Sequence, residues 1–416
     1  LPLMVLLAAC GDGTGPEVPK ITQLPRPLTA SEEQVIASAN AFGVDLMAEV
    51  LARDDRPNVI LSPLSASVAL GMTLNGAAGS TFDDMRTALR FGSLSQGEIN
   101  AAYRGLVDLL LGLDPSVELS IANATFANEG WPFHPSFFDS VSTYFDATAE
   151  SRDFADPATV QAINAWAKEH TEGRIEKILD QLDPDMVMIL LDAIWFDGRW
   201  TTQFDPEDTR PASFRRADDS QVTVEMMHLG DVELPFGGAS GLAAVELPYG
   251  GEAWSMLVAV PWGSEPVRDV VAGMDQGDWN ALVSSLQVQD VDDVALPKFE
   301  LSYDVFLNDP LTDMGMGVAF TPAADFTNLS PRGDELCIDF VRQKTFIEVD
   351  EAGTRAAAVT AVGIGPVSFT GLIADRPFLF AIRERLSGTI LFMGIVGDPA
   401  LEDAGPAEAG DGCEPG

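Results

Sequence analysis

Two hydrophobic rhythms run along the chain, one of three to four residues and one of two, joined by short runs that are apolar throughout. Val35, Ala39, Phe42, Leu46 and Val50 recur at helical spacing, which predicts a helix with one buried stripe. Its start is expected at Ser31-Glu32-Glu33-Gln34, where the serine can satisfy an early helix amide and the glutamine can reach back to the cap. After the polar break Asp54 to Pro57, Val59-Ile60-Leu61 reads as a short strand. It runs into a second helix with Ser62 at the cap and Pro63 in the first turn. That helix is apolar on most sides through Leu74, so it should be buried. Asp156 to His170 carries the period of an amphipathic helix, and Met186 to Phe196 reads as a strand covered on both faces. Further strands are expected at Val222 to Met227, Gly241 to Leu247, Ser255 to Val260, Val294 to Leu301, Ile338 to Val349 and Pro377 to Val396. No repeat and no linker divides Ser31 to Pro399, so residues 31–399 read as one mixed helix and sheet domain.

Composition narrows the partners. The 416 residues are 46% hydrophobic, ample for a large core. Their 64 acidic and 24 basic side chains leave a formal charge of -40, which repels nucleic acid, heparin-like polyanions and anionic lipid heads. Residues 1–10 are almost wholly apolar yet too short to span a bilayer, and read as the tail of a signal peptide. Residues 11–30 have the Gly, Pro and Thr content of a flexible tether, and residues 400–416 that of an acidic disordered tail. Beside Cys10, the cysteines Cys337 and Cys413 make no disulfide framework; an exported compartment would permit one bridge, but two unpaired thiols are the expectation. His134, His170 and His228 lack metal-ligand spacing, and there is no nucleophile elbow or phosphate loop. No metal, cofactor or enzymatic activity is therefore expected. Asp192, inside an apolar run, needs hydrogen-bond donors or a proton.

The segment Glu351 to Ser368 departs from all these patterns. It follows a credible strand and then dissolves into small residues with glycines and a proline. Read at period two, Thr354, Ala356, Ala358, Thr360, Val362, Ile364 and Pro366 share an uncharged face that could be buried in a sheet. The opposite face holds Arg355, Ala357 and other small residues, and the glycines allow the same segment to stay an exposed loop.

This segment resembles the reactive-centre hinge of serpins, an acidic residue, Gly, Thr, Glu and a run of alanines ending in threonine. The chain is similar to that family elsewhere too: Asn58 to Ser65, Asn164-Ala165-Trp166, Thr171 to Ile175, Asp192 to Trp200 and Phe204, Asp375 to Ile382, and Leu391 to Gly394 stand in serpin order. The resemblance implies an α+β fold of three β-sheets and eight or nine helices, with an exposed reactive-centre loop. It implies a monomeric, irreversible suicide inhibitor: a serine protease forms an acyl-enzyme on the loop, which inserts into the main sheet and traps it. The hinge would comprise Glu351, Gly353, Thr354, Arg355, Ala356, Ala357, Ala358 and Thr360. Counting fifteen positions from Gly353 puts the reactive bond at Val367-Ser368, suited to elastase-like or subtilisin-like proteases. The loop runs slightly short when counted back from Pro377, which leaves Pro366, Ser368 or Phe369 as other positions before the cut, Phe369 implying a chymotrypsin-like target. Ser62 and Ser65 match the serines beneath the opening sheet; Asp192 and Gln343 stand where asparagine and histidine are usual, and would form a gating network with Ser62. Trp200 matches the tryptophan at the loop's entry point. Arg355 replaces an acidic residue; facing outward it is tolerable but could slow insertion. Leu7-Ala8-Ala9-Cys10 resembles the bacterial lipobox, implying an exported envelope protein whose only membrane contact is a lipid on Cys10. The rival reading is a non-inhibitory serpin acting as a carrier or chaperone.

Overall fold

The computed structural model describes residues 18–353 and 370–401. The first long helix, α1 (Ala30–Leu51), starts earlier than its sequence suggests. Thr29 is the cap, and its hydroxyl accepts from Glu32 N at 3.2 Å while the Glu32 carboxylate accepts from Thr29 N at 2.7 Å. Arg26 grips that carboxylate through both terminal nitrogens, and a charged acceptor outbids the glutamine at Gln34 for the capping role. Ser62 caps the buried α2 as expected, accepting from Ser65 N at 3.3 Å.

The remaining elements follow in order: β1 (Val59–Leu61), α2 (Pro63–Leu74), α3 (Gly79–Ala88), α4 (Gln96–Leu111), β2 (Val117–Asn128), α5 (Pro135–Phe145), β3 (Thr148–Arg152), α6 (Pro157–His170), β4 (Met188–Gly198), β5 (Arg210–Arg215), β6 (Gln221–Ala239), β7 (Leu242–Tyr249) and β8 (Trp254–Pro261). Then come α7 (Val267–Ala272), α8 (Gln276–Ser285), β9 (Gln287–Pro297), β10 (Phe299–Phe306), α9 (Asn308–Leu311), β11 (Arg342–Val349), β12 (Gly371–Ile373), β13 (Phe378–Glu384) and β14 (Ile390–Val396). Nine α-helices and three sheets are thus present among the described residues. Three expected strands are shorter or divided. Pro377 to Val396 is a hairpin of β13 and β14, turned at Gly388 with φ of +82°. Val294 to Leu301 breaks at Lys298, and the strand expected from Ile338 begins at Arg342.

The largest sheet has nine strands, in the order β1-β14-β13-β8-β7-β6-β9-β12 with β5 beside β6. Strands β8, β13 and β14 are buried at every position and form the centre of the core. The other two sheets are small: β3-β2-β4 and the pair β10-β11. α6 covers the outer face of the first, packing Ile163 and Trp166 on Phe126, Ile189 and Leu191. α2 lies under the inner side, against β4 and β14.

Candidate functional site: an open seam between two strands

Among the described residues no ladder joins β4 to β11; the link between their sheets is a single bridge, Arg199 to Gly353. A cleft of about 710 Å³ separates the two strands, walled by residues 188–191 of β4 and 342–345 of β11, with the cap Ser62 and Ser65 and Ala66 of α2 in its floor. Among the described residues each wall is a sheet edge, with no strand paired to it on the cleft side.

At the floor, Gln343 clamps the start of α2. Its carbonyl accepts from Ser62 N at 2.8 Å and its amide donates to Ser62 O at 3.0 Å, satisfying both backbone groups of a buried residue. The Ser62 hydroxyl donates to Leu391 O at 2.7 Å and Thr345 Oγ1 to Ile60 O at 3.0 Å, tying β11 and β14 to the strand and helix between them. Ser62, Ser65 and Gln343 therefore meet, Gln343 through the backbone of Ser62 and Ser65 through the Ser62 hydroxyl. Asp192 lies in β4 opposite Asn123, its side chain outside the described set.

The upper end is built around Trp200 and the last described residues of the hinge. Trp200 N donates to Ala352 O at 2.9 Å and its indole to Asp350 O at 3.0 Å, while the ring stacks on Tyr249 at 4.4 Å between centroids. Glu351 receives Lys298 Nζ and Thr209 Oγ1, each at 2.8 Å. Burial pushes this carboxyl up, but those donors together with its own backbone amide outweigh it and hold Glu351 below the usual carboxylate range. Asp350 moves the other way, raised by burial and by the charges of Glu351 and Glu348 against the pull of the Ala352 amide and Lys298. Gly353 has φ of +108°, and a β-carbon there would collide with Gly198 O and Trp200 N, so this hinge position requires glycine.

Thr354, Arg355, Ala356, Ala357, Ala358, Thr360, Val367, Ser368 and Cys10 lie outside the described residues. The roles of Lys298, Thr209 and Leu391 at this site escaped sequence reading because each meets its partner far along the chain, and nothing local marks the contact. Cys337 corrects the expectation of free thiols: half-buried at the cleft wall, it is disulfide-bonded, in keeping with an oxidising compartment. No group of metal-binding side chains and no helix long and apolar enough to cross a membrane occurs among the described residues.

The serpin (serine protease inhibitor) family model matches residues 37–399. Neuroserpin of Gallus gallus is 33% identical over 361 residues, 84% of this chain and 87% of that protein. Serpin A3-6 of Bos taurus is 30% identical over 378 residues, covering 90% and 91%. Among solved structures, native tengpin, a thermophilic serpin, superposes with a TM-score of 0.80 at 30% identity over 92% of this chain and 97% of that one. Thyroxine-binding globulin in complex with thyroxine gives 0.77 at 28% identity over 88% and 99%. The chain belongs to the serpin family.

Proposed function

We propose that this protein is an irreversible suicide inhibitor of serine proteases, presenting residues 354–369 as bait and inserting the cleaved segment between β4 and β11. One observation carries this reading: among the described residues two facing strand edges stand unjoined, and the hinge glycine occupies the first rung of the strand that would join them. The uncharged alternate face from Thr354 to Pro366 suits the interior of such a sheet. Cleavage at Val367-Ser368 fits elastase-like or subtilisin-like enzymes, and Arg355 as the lone cation from Glu351 to Asp375 disfavours trypsin-like ones. The inhibitor is monomeric, acts without metal or cofactor, and is exported by a bacterium and held at the envelope by a lipid on Cys10. Incubation with an elastase-like protease should give a covalent complex that survives denaturing electrophoresis. Thr354→Arg would bury an unpaired charge at the first inserted position and should turn the inhibitor into a cleaved substrate. Clean cleavage of the wild-type protein without complex would instead favour a carrier, the role that the thyroxine complex of thyroxine-binding globulin illustrates within this fold.

A further inference from the structure

The pairing of Gly353 extends past the described chain. Gly353 lies antiparallel to Arg199 on one side and to Asp350 on the other, so an inserted strand in that register sets residue 354 opposite Gly198 and Val349, and residue 355 opposite Asp197 and Glu348. Directly opposed residues share a sheet face. Here it is the outer face: Ile189, Leu191 and Ala193, in phase with Asp197, pack under α6, while Glu348 alternates with the buried Ile347 and Val349.

Along this face the two half-sheets present a row of carboxylates. Glu118 of β2 pairs with Asp197 of β4, and Glu300 of β10 pairs with Glu348 of β11. The slot for residue 355 is in the middle of the row. Like charges set directly opposite each other destabilise a sheet, and little counters them. Arg174, from the segment after α6, pairs with Glu348 at 2.8 Å and leans on Phe346. Arg199 lies beside the slot, and Lys298 is engaged by Glu351. Asp197 forms no ion pair among the described residues; burial and Glu118 raise its carboxyl above the usual range, with Arg199 and Arg174 opposing and Asp350 adding to the rise. Residue 355 is arginine, the one cation between Glu351 and Asp375.

We propose that the gap between Asp197 and Glu348 is a guanidinium slot, and that Arg355 fills it as the loop inserts, fixing the insertion register and favouring insertion. This rests on the inhibitory reading above and reverses the expectation that Arg355 slows insertion. A planar guanidinium with five donors can serve a carboxylate on each side. A one-residue slip would turn Arg355 toward the core, and a two-residue slip toward the cleft floor would set it between Trp195 and Phe346.

The test cleaves the loop within residues 361–369 using a protease that forms no complex, then follows Trp200 fluorescence for the insertion rate and thermal unfolding of the cleaved form. Wild-type protein should insert and gain heat stability. Arg355→Glu should insert about tenfold more slowly, the size expected when two half-exposed ion pairs become repulsions, and should gain less stability. Its deficit should shrink in high salt. Arg355→Lys should stay near wild type, and Asp197→Lys combined with Arg355→Glu should recover most of the loss. The uncleaved variants serve as folding controls. If wild type and Arg355→Glu insert alike, the slot is refuted while the inhibitory reading stands. If wild type gains no stability on cleavage, both fall.

Discussion

Two residues at the seam concentrate its energetics. Gln343 satisfies the buried N–H of Ser62 and shares Ser62 O with the Ala66 amide, so Gln343→Leu would leave that buried N–H without a partner, at about 1–3 kcal/mol. Urea unfolding should therefore show Gln343→Leu destabilised by about 1–3 kcal/mol despite its conserved volume. An unchanged midpoint would mean that water or a neighbour replaces the amide. Glu351 offers a test with a pH signature. Its folded-state carboxyl is lowered, so the stability it contributes is present above the unfolded carboxylate value and lost as pH falls through the depressed one. Lys298→Ala should cost about 1 kcal/mol near neutrality, a modest figure because Lys298 is half-exposed. That deficit should shrink as pH falls below the ordinary carboxylate range and vanish once the Glu351 carboxyl is protonated, since wild type has then lost the same interaction. A deficit independent of pH would assign the loss to packing of the lysine stem. Asp197 and Asp350 carry the opposite sign, since raised carboxyls relieve strain as pH drops.

At the level of elements, α2, α6 and β4 were legible because each buries a face whose period is written in consecutive residues, as Ile189, Leu191 and Ala193 show. Element ends were less so. Thr29 took the cap from Ser31 because Arg26, outside the capping motif, strengthens Glu32. The seam itself could be inferred from resemblance alone: nothing in the pattern of β4 or β11 says that they stand apart, since both read as ordinary strands. Nor does spacing reveal that Lys298 meets Glu351, because that pairing follows from β10 and β11 being antiparallel neighbours. The open edges make their own prediction. Cleft-side amides of β4 and β11 should exchange hydrogen faster than those of β13 and β14, which sit in ladders on both sides, and should become protected once the loop is cleaved. Equal protection before and after cleavage would contradict insertion between these strands.

For the molecule as a whole, the bridge at Cys337 bears on the proposed lipid anchor at Cys10. The chain has three cysteines, Cys10, Cys337 and Cys413, and Cys337 is disulfide-bonded. A cysteine that carries a thioether-linked lipid has no thiol left for a bridge. If Cys10 is the lipid site, Cys337 must pair with Cys413, tying the acidic segment after Pro399 back to the wall of the cleft. A non-reducing peptide map of the full-length protein from the cells that produce it should then show the Cys337 peptide joined to the Cys413 peptide, and the Cys10 peptide shifted in mass by the lipid. A Cys10–Cys337 link in that material would eliminate the anchor and leave a freely secreted inhibitor. The charge of -40 makes the distinction consequential, because such a body is repelled by anionic lipid heads and is held at a membrane only by covalent attachment.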